Sequence, residues 1–155
     1  MKTIVLVSLL LSLVFTIADA PGVPGWRGIV PLHSTRADVE RLLGTGTDSC
    51  KCAYYLEDVN AFFYYSSGNC KSRVSGGWDV PTDTVVRIVV YPKRKLSLAD
   101  LNIDQSKFEK KREVESIVSC WNQEEGLYIE VSAYTDLVMG FYYGPAARDK
   151  YLRCP

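Results

Sequence analysis

The chain has 155 residues, with 18 Lys and Arg against 18 Asp and Glu, so its formal net charge is zero and no basic block stands out. That balance argues against a protein working by blanket attraction to nucleic acid or to an anionic membrane surface. Hydrophobic residues make up 47% of the chain, enough for one packed domain, and the five cysteines leave an odd thiol to place.

Residues 1–20, MKTIVLVSLLLSLVFTIADA, read as a cleavable export signal. Lys2 supplies the charged start, Ile4 to Ile17 is almost wholly apolar, and Ala18-Asp19-Ala20 offers the small-x-small cleavage step. Pro21 directly follows Ala20, so cleavage after Ala18 and after Ala20 both stay open. The apolar run is shorter than the ~20 residues that cross a bilayer comfortably, and no cysteine precedes Cys50 to carry a bacterial lipid anchor. The expectation is a periplasmic or secreted protein without a membrane anchor after cleavage. Residues 21–31, PGVPGWRGIVP, read as an extended lead-in to a single domain over residues 32–155.

The first element is a short amphipathic helix in STRADVERLLG, residues 34–44. Thr35 suits the N-cap, Asp38 completes a capping box, and Gly44 suits the left-handed stop. Val39, Leu42 and Leu43 share one face, and Arg36 and Glu40 stand one turn apart for pairing. Strands follow at Tyr54–Leu56, Asn60–Ser66 and Thr84–Tyr91, all rich in aromatic or β-branched residues. Leu96–Asn102 reads as one or two helical turns. Glu113–Trp121, Leu127–Ala133 and Leu137–Tyr143 then read as three strands with short connections, an antiparallel meander. The fold class is α+β: the helix packed on an antiparallel sheet of about five or six strands.

A repeat underlies this pattern. Residues 82–92, TDTVVRIVVYP, align without gaps on residues 135–145, TDLVMGFYYGP, at a spacing of 53 residues. An acidic turn and an aromatic strand precede each copy, Glu57-Asp58 and then Glu124-Glu125. Two similar β-rich halves forming one sheet would produce this pattern; turn-strand-proline is also a common β motif.

All five cysteines, Cys50, Cys52, Cys70, Cys120 and Cys154, lie beyond the signal, where an oxidising compartment permits bridges. Cys52 and Cys70 flank the first strand pair and are the expected bridge; Cys154 is expected to tie down the C-terminal tail through Cys50 or Cys120. Cys50-Lys51-Cys52 could be half of a metal site, but no second Cys pair and a single histidine leave nothing to complete it, so no metal is expected.

The stretch Ser34 to Gly44 resembles the opening helix of SmpA/OmlA-type bacterial envelope proteins and of the related β-lactamase inhibitory protein family. Those families follow a capped helix of the form Thr, basic, x, acidic or amide, Val, x, x, Leu, Leu, Gly with antiparallel strands, in one copy or two. The resemblance implies a helix packed on a sheet whose other face meets protein partners.

Candidate chemistry is sparse. His33 is the only histidine and precedes Ser34, but neighbours just before a helix rarely meet triad geometry, and no Gly-x-Ser-x-Gly elbow exposes a serine. Asp100-x-Asn102-x-Asp104 has the opening spacing of a calcium loop, yet Gln105 and Lys111 occupy the positions that want Gly and Glu. No catalytic residue, metal or cofactor is therefore assigned. The aromatic runs Phe62-Phe63-Tyr64-Tyr65 and Phe141-Tyr142-Tyr143 are better candidates, because strand alternation points part of each run away from the helix. Phe62, Tyr64 and Tyr142 are the expected binding residues; core packing is expected for Trp121. The expected function is a non-enzymatic interaction domain for an envelope or extracellular protein. A carbohydrate or cell-wall binding module is the alternative, and a hydrolase working through His33 a third reading.

Overall fold

A computed structural model describes residues 25–70 and 77–155. The expected signal over residues 1–20 lies outside the described residues, as do residues 21–24 of the lead-in. The described remainder of that lead-in is a tight turn rather than an extended arm. Trp26 and Ile29 exchange amide-to-carbonyl hydrogen bonds of 2.9 Å in both directions. Arg27 and Gly28 between them have φ of 51° and 78°, the paired positive values of a primed hairpin turn. Trp26 and Ile29 are both buried with Phe63 in the main core, and burying such side chains is worth about 2 kcal/mol or more apiece, which holds the turn down.

The helix, α1 (Arg36–Leu43), carries the expected capping box, with Thr35 and Asp38 satisfying each other's backbone amides, and ends at Gly44 with φ 83°. Val39 is fully buried and Leu43 packs beside it, but Leu42 is 46% exposed. With only eight residues, the helix seats a narrow stripe, and Leu42 falls outside it. Arg36 does not pair with Glu40. Its guanidinium lies 3.9 Å over the Tyr65 ring and bonds Asp83 at 2.9 Å, because the cap brings this first turn against the loop before the third strand.

Seven strands follow: β1 (Ala53–Tyr55), β2 (Val59–Tyr65), β3 (Val85–Pro92), β4 (Glu109–Val114), β5 (Ile117–Asn122), β6 (Leu127–Ser132) and β7 (Val138–Tyr143). They form one antiparallel sheet in the order β1-β2-β3-β7-β6-β5-β4. The expected count of five or six is close to the seven observed; the strand missed is β4, of which only Glu113-Val114 fell within the run read as Glu113–Trp121, and a turn at Glu115-Ser116 divides that run from β5. Every residue of β4 is exposed. Its sequence, EKKREV, lacks the apolar alternation that marks a half-buried strand, and as the outermost strand its charges discourage edge-to-edge pairing.

One face of the sheet is the core. Val39, Tyr54, Ala61, Phe63, Ile88 and Val90 cluster under α1 and the Trp26 turn. A second cluster of Cys120, Ile129, Val131 and Val138 is covered by Leu96, Leu98, Leu101, Ile103 and Phe108. The helical turns expected at Leu96–Asn102 are a 3-10 turn at Leu98–Asp100, followed by another at Gln105–Lys107. Asp100 accepts from the amide and hydroxyl of Ser97 at 2.7 and 2.8 Å, and Asp104 accepts from those of Ser106. Both carboxylates of the calcium-like spacing are thus engaged as caps.

The aligned segments occupy matching places. Asp83 and Asp136, 53 residues apart, both take positive φ, 64° and 55°. Before β3, Ser66 N donates to Thr84 O and Asp83 N to Ser66 O; before β7, Ser132 N donates to Leu137 O and Asp136 N to Ser132 O. The capped turns also correspond: Thr35 bridges Thr84, Ser97 bridges Leu137, and each cap is closed by the aspartate three residues on. Strands β3 and β7 pair as Ile88 with Tyr143, Val89 with Tyr142 and Val90 with Phe141, a register that maps onto itself when the aligned residues are exchanged.

The disulfide pairing differs from expectation. Cys70 bridges Cys154 across 84 residues with a Cα separation of 5.6 Å, and Cys50 bridges Cys52. Cys52 lies level with Phe63, whose amide donates to its carbonyl, whereas the chain beyond β2 carries Cys70 toward the C-terminal segment. There Cys70 N donates to Trp78 O, Asp79 N to Leu152 O and Cys154 N to Gly77 O. Cys120 faces the second core cluster, buried and unbridged, and burial pushes its thiol pKa up. Among the described residues, no helix is long and apolar enough to cross a membrane.

Candidate interaction face

The second face of the sheet carries the aromatic side chains that alternation turns away from the core. Registers between adjacent strands bring Tyr55, Phe62, Tyr91, Tyr142, Tyr128 and Trp121 onto it, one from each strand except β4. Their rings form an unbroken ladder. From Tyr55 to Trp121 the successive centroid separations are 6.2, 5.9, 6.4, 5.2 and 6.2 Å, with interplanar angles of 89°, 69°, 86°, 71° and 88°. Such edge-to-face contacts contribute about 0.5–1.5 kcal/mol each beyond area burial, so the ladder holds its shape without a ligand.

Glycine makes room in the middle. A Cβ at Gly140 would lie 3.2–3.3 Å from ring atoms of Tyr91 and Tyr142, closer than those packed rings comfortably allow. Beside it, Glu130 accepts hydrogen bonds from the Tyr142 hydroxyl at 2.7 Å and the Tyr128 hydroxyl at 3.2 Å. Burial first, then the bond to Glu130, pushes the Tyr142 hydroxyl far above its ordinary pKa, so it remains a neutral donor. The carboxylate is held against the ladder rather than offered outward.

Phe62, Tyr64 and Tyr142 all lie on this face. Phe62 and Tyr142 are ladder members, and Tyr64 stands beside them, 52% exposed, with the Arg87 guanidinium 5.9 Å over its ring. Trp121 corrects the expectation of core packing: it is 54% exposed at the ladder's end. It pairs with Tyr128 across β5 and β6, and its neighbour Cys120 takes the core-facing position instead. Tyr55, Tyr91 and Tyr128 were not singled out from sequence. The available signal was the alternation of each strand combined with neighbour register, and register is set by tertiary pairing.

Beyond Tyr142 and Trp121 the face is bounded by the C-terminal segment, where Ala147–Leu152 forms a 3-10 helix. Between this segment and the sheet lies a cleft of about 450 Å3 floored by Tyr128 and Tyr142. His33 helps anchor the segment: its Nε2 lies 2.9 Å from Oδ1 of Asp149, which is almost fully buried and also accepts from the Ala146 amide. Ser34 is turned elsewhere, its hydroxyl accepting from the Val30 amide at 2.9 Å, so the neighbouring His-Ser pair is not assembled into a nucleophile and base. Asp48 gathers with Cys50 and Cys52, but those sulfurs are joined, and a disulfide sulfur is not the thiolate a metal binds.

Comparison of the chain with protein-family models, with curated proteins and with solved structures finds no match.

Proposed function

We propose that this protein is an exported, non-enzymatic interaction module that binds another envelope or extracellular protein through its aromatic sheet face. The exported destination rests on the composition of residues 1–20. The observation that carries the binding reading is the ladder itself, which places Tyr55, Tyr91 and Trp121, each 40–61% exposed, on the face opposite the core. Six strands at about 4.8 Å spacing make the ladder roughly 24 Å broad, close to the side of about 28 Å of a square patch of about 800 Å2, the area one partner contributes to a standard interface. Exposed Tyr and Trp are the residue types on which such interfaces concentrate their energy.

The two capped turns, the matching turn bonds and the self-complementary β3–β7 register support two similar halves related by an approximate twofold axis near Val89 and Tyr142. In that arrangement each half supplies half of the ladder. The angles between neighbouring rings disfavour the carbohydrate alternative, because no two successive rings are coplanar and the ladder offers no continuous flat strip for stacked sugars.

The test is capture of partners from an envelope or extracellular extract by the mature protein and by a Tyr64→Ala, Tyr142→Ala variant whose fold is checked by circular dichroism. Loss of specific partners in the variant supports the assignment. Unchanged partners, or equal binding of both proteins to insoluble glycans with no protein captured, overturn it.

A further inference from the structure

The cleft at the end of the ladder has a chemistry distinct from the rest of the face. Its floor is Tyr128, Tyr142 and Trp121, and its rim carries Arg87 from β3 with Lys150 and Arg153 from the C-terminal segment. Among its described lining residues there is no carboxylate. None of the three cations takes part in an ion pair among the described residues, although the chain as a whole is electrically balanced. On the same face Glu130 is taken up by the hydroxyls of Tyr128 and Tyr142, and Glu109, opposite Trp121 on β4, lines the adjoining hollow rather than the cleft.

The charge also breaks the correspondence between the aligned segments. Gly140 stands where the first copy has Arg87, and Glu130 is paired with Gly140 as Tyr64 is with Arg87. At this matched pair of positions a cation therefore stands on one side of the axis only. Arg87 has an aromatic neighbour in Tyr64 but no counter-ion among the described residues, and a planar guanidinium so placed keeps its outer N–H groups available for a carboxylate.

We propose that this cleft is the anchor site for an acidic segment of a protein partner. A Glu or Asp carboxylate is received by Arg87 and Lys150, and a flanking apolar side chain rests on the Tyr142 and Trp121 rings. The inference rests on the aromatic face being the binding surface, and it names the chemistry of what binds there. Complementary charge on a partner would set orientation and speed encounter, while the rings supply contact area.

The experiment uses the oxidised mature protein and a fluorescein-labelled acidic peptide of alternating Glu and Phe, with the same peptide carrying Gln for every Glu as its control. Anisotropy should show the acidic peptide binding at least about fivefold tighter than the control, with the difference shrinking as salt rises and screening shortens the reach of the charges. Arg87→Gln and the exposed single change Lys150→Gln should each erase most of that preference. Equal binding of the two peptides, or an undiminished preference in both variants, overturns the proposal. So does a preference for chondroitin sulfate over the acidic peptide, which would make the occupant a sulfated glycan. If partner capture is lost in Tyr64→Ala, Tyr142→Ala but retained in Arg87→Gln, Lys150→Gln, the face stands and the acidic anchor falls. If neither variant loses the partner, the face assignment itself fails.

Discussion

Replacing the Cys70–Cys154 bridge with serines tests the tertiary arrangement most directly. The bridge closes a loop of 84 residues, and in the chain-entropy account such a constraint on the unfolded state is worth about 4.5 kcal/mol at 25 °C. The Cys50–Cys52 bridge spans a sequence separation of only 2, for which the same relation yields about 1 kcal/mol. Urea unfolding of Cys70→Ser, Cys154→Ser and of Cys50→Ser, Cys52→Ser should therefore separate clearly. With a denaturant slope of about 2 kcal/mol/M, the first pair should lower the midpoint by roughly 2 M and the second by roughly 0.5 M. The loss should also be local in the native state. The amides of Asp79 and Cys154, which bond Leu152 O and Gly77 O at 2.7 Å, should lose hydrogen-exchange protection in the first variant, while the Phe63 amide between β1 and β2 keeps its relative protection. Equal midpoint shifts for the two bridges would refute the reasoning, as would mass spectrometry of the oxidised protein finding Cys52 linked to Cys70.

Other consequences are simpler to measure. The amide and hydroxyl of Thr35, with Arg41, hold Asp38 at a pKa of about 2, below its ordinary 3.8. A depressed carboxylate pKa stabilises the fold above the unfolded value, and that contribution disappears as pH falls through the folded one. The difference in melting temperature between the wild type and Asp38→Asn should therefore be present at pH 5 and vanish near pH 2. Asp136 has φ 55° and no side-chain bond or ion pair among the described residues, so Asp136→Gly should leave stability unchanged or raise it by up to about 1 kcal/mol, while Asp136→Val lowers it by about 1–2 kcal/mol in thermal melts. The Cys120 thiol, buried and with its pKa raised by desolvation, should resist a thiol reagent in the native protein and react fully in urea.

Local physics made several parts of the chain legible in advance. Thr35, Asp38 and Gly44 define the helix because a cap and a left-handed stop are decided by residues within one turn of each other. Six of the seven strands announced themselves by β-branched and aromatic runs. β4 did not, since a solvent-exposed edge strand needs no apolar alternation. Alternation put Phe62 and Tyr64 on one face of their strand and Phe63 and Tyr65 on the other, because side-chain direction in a strand has period two, but which face is the outer one was left to the packing.

What the linear pattern left open were the outcomes that depend on which distant segments meet. Trp121 and Cys120 are adjacent, and only the pairing of β5 with β6 decides that the cysteine faces the core and the tryptophan the solvent. The partner of Cys70 was settled by the path of the chain beyond β2, which returns to the C-terminal segment instead of to β1. The ladder from Tyr55 to Trp121 exists because register across six strands aligns one ring per strand, and a shift of a single residue would have turned each ring inward. Composition and spacing determined the elements and the aromatic surplus on their outer sides; long-range pairing, whose energy depends on segments far apart in sequence, assembled them into one continuous face with a basic cleft at its end.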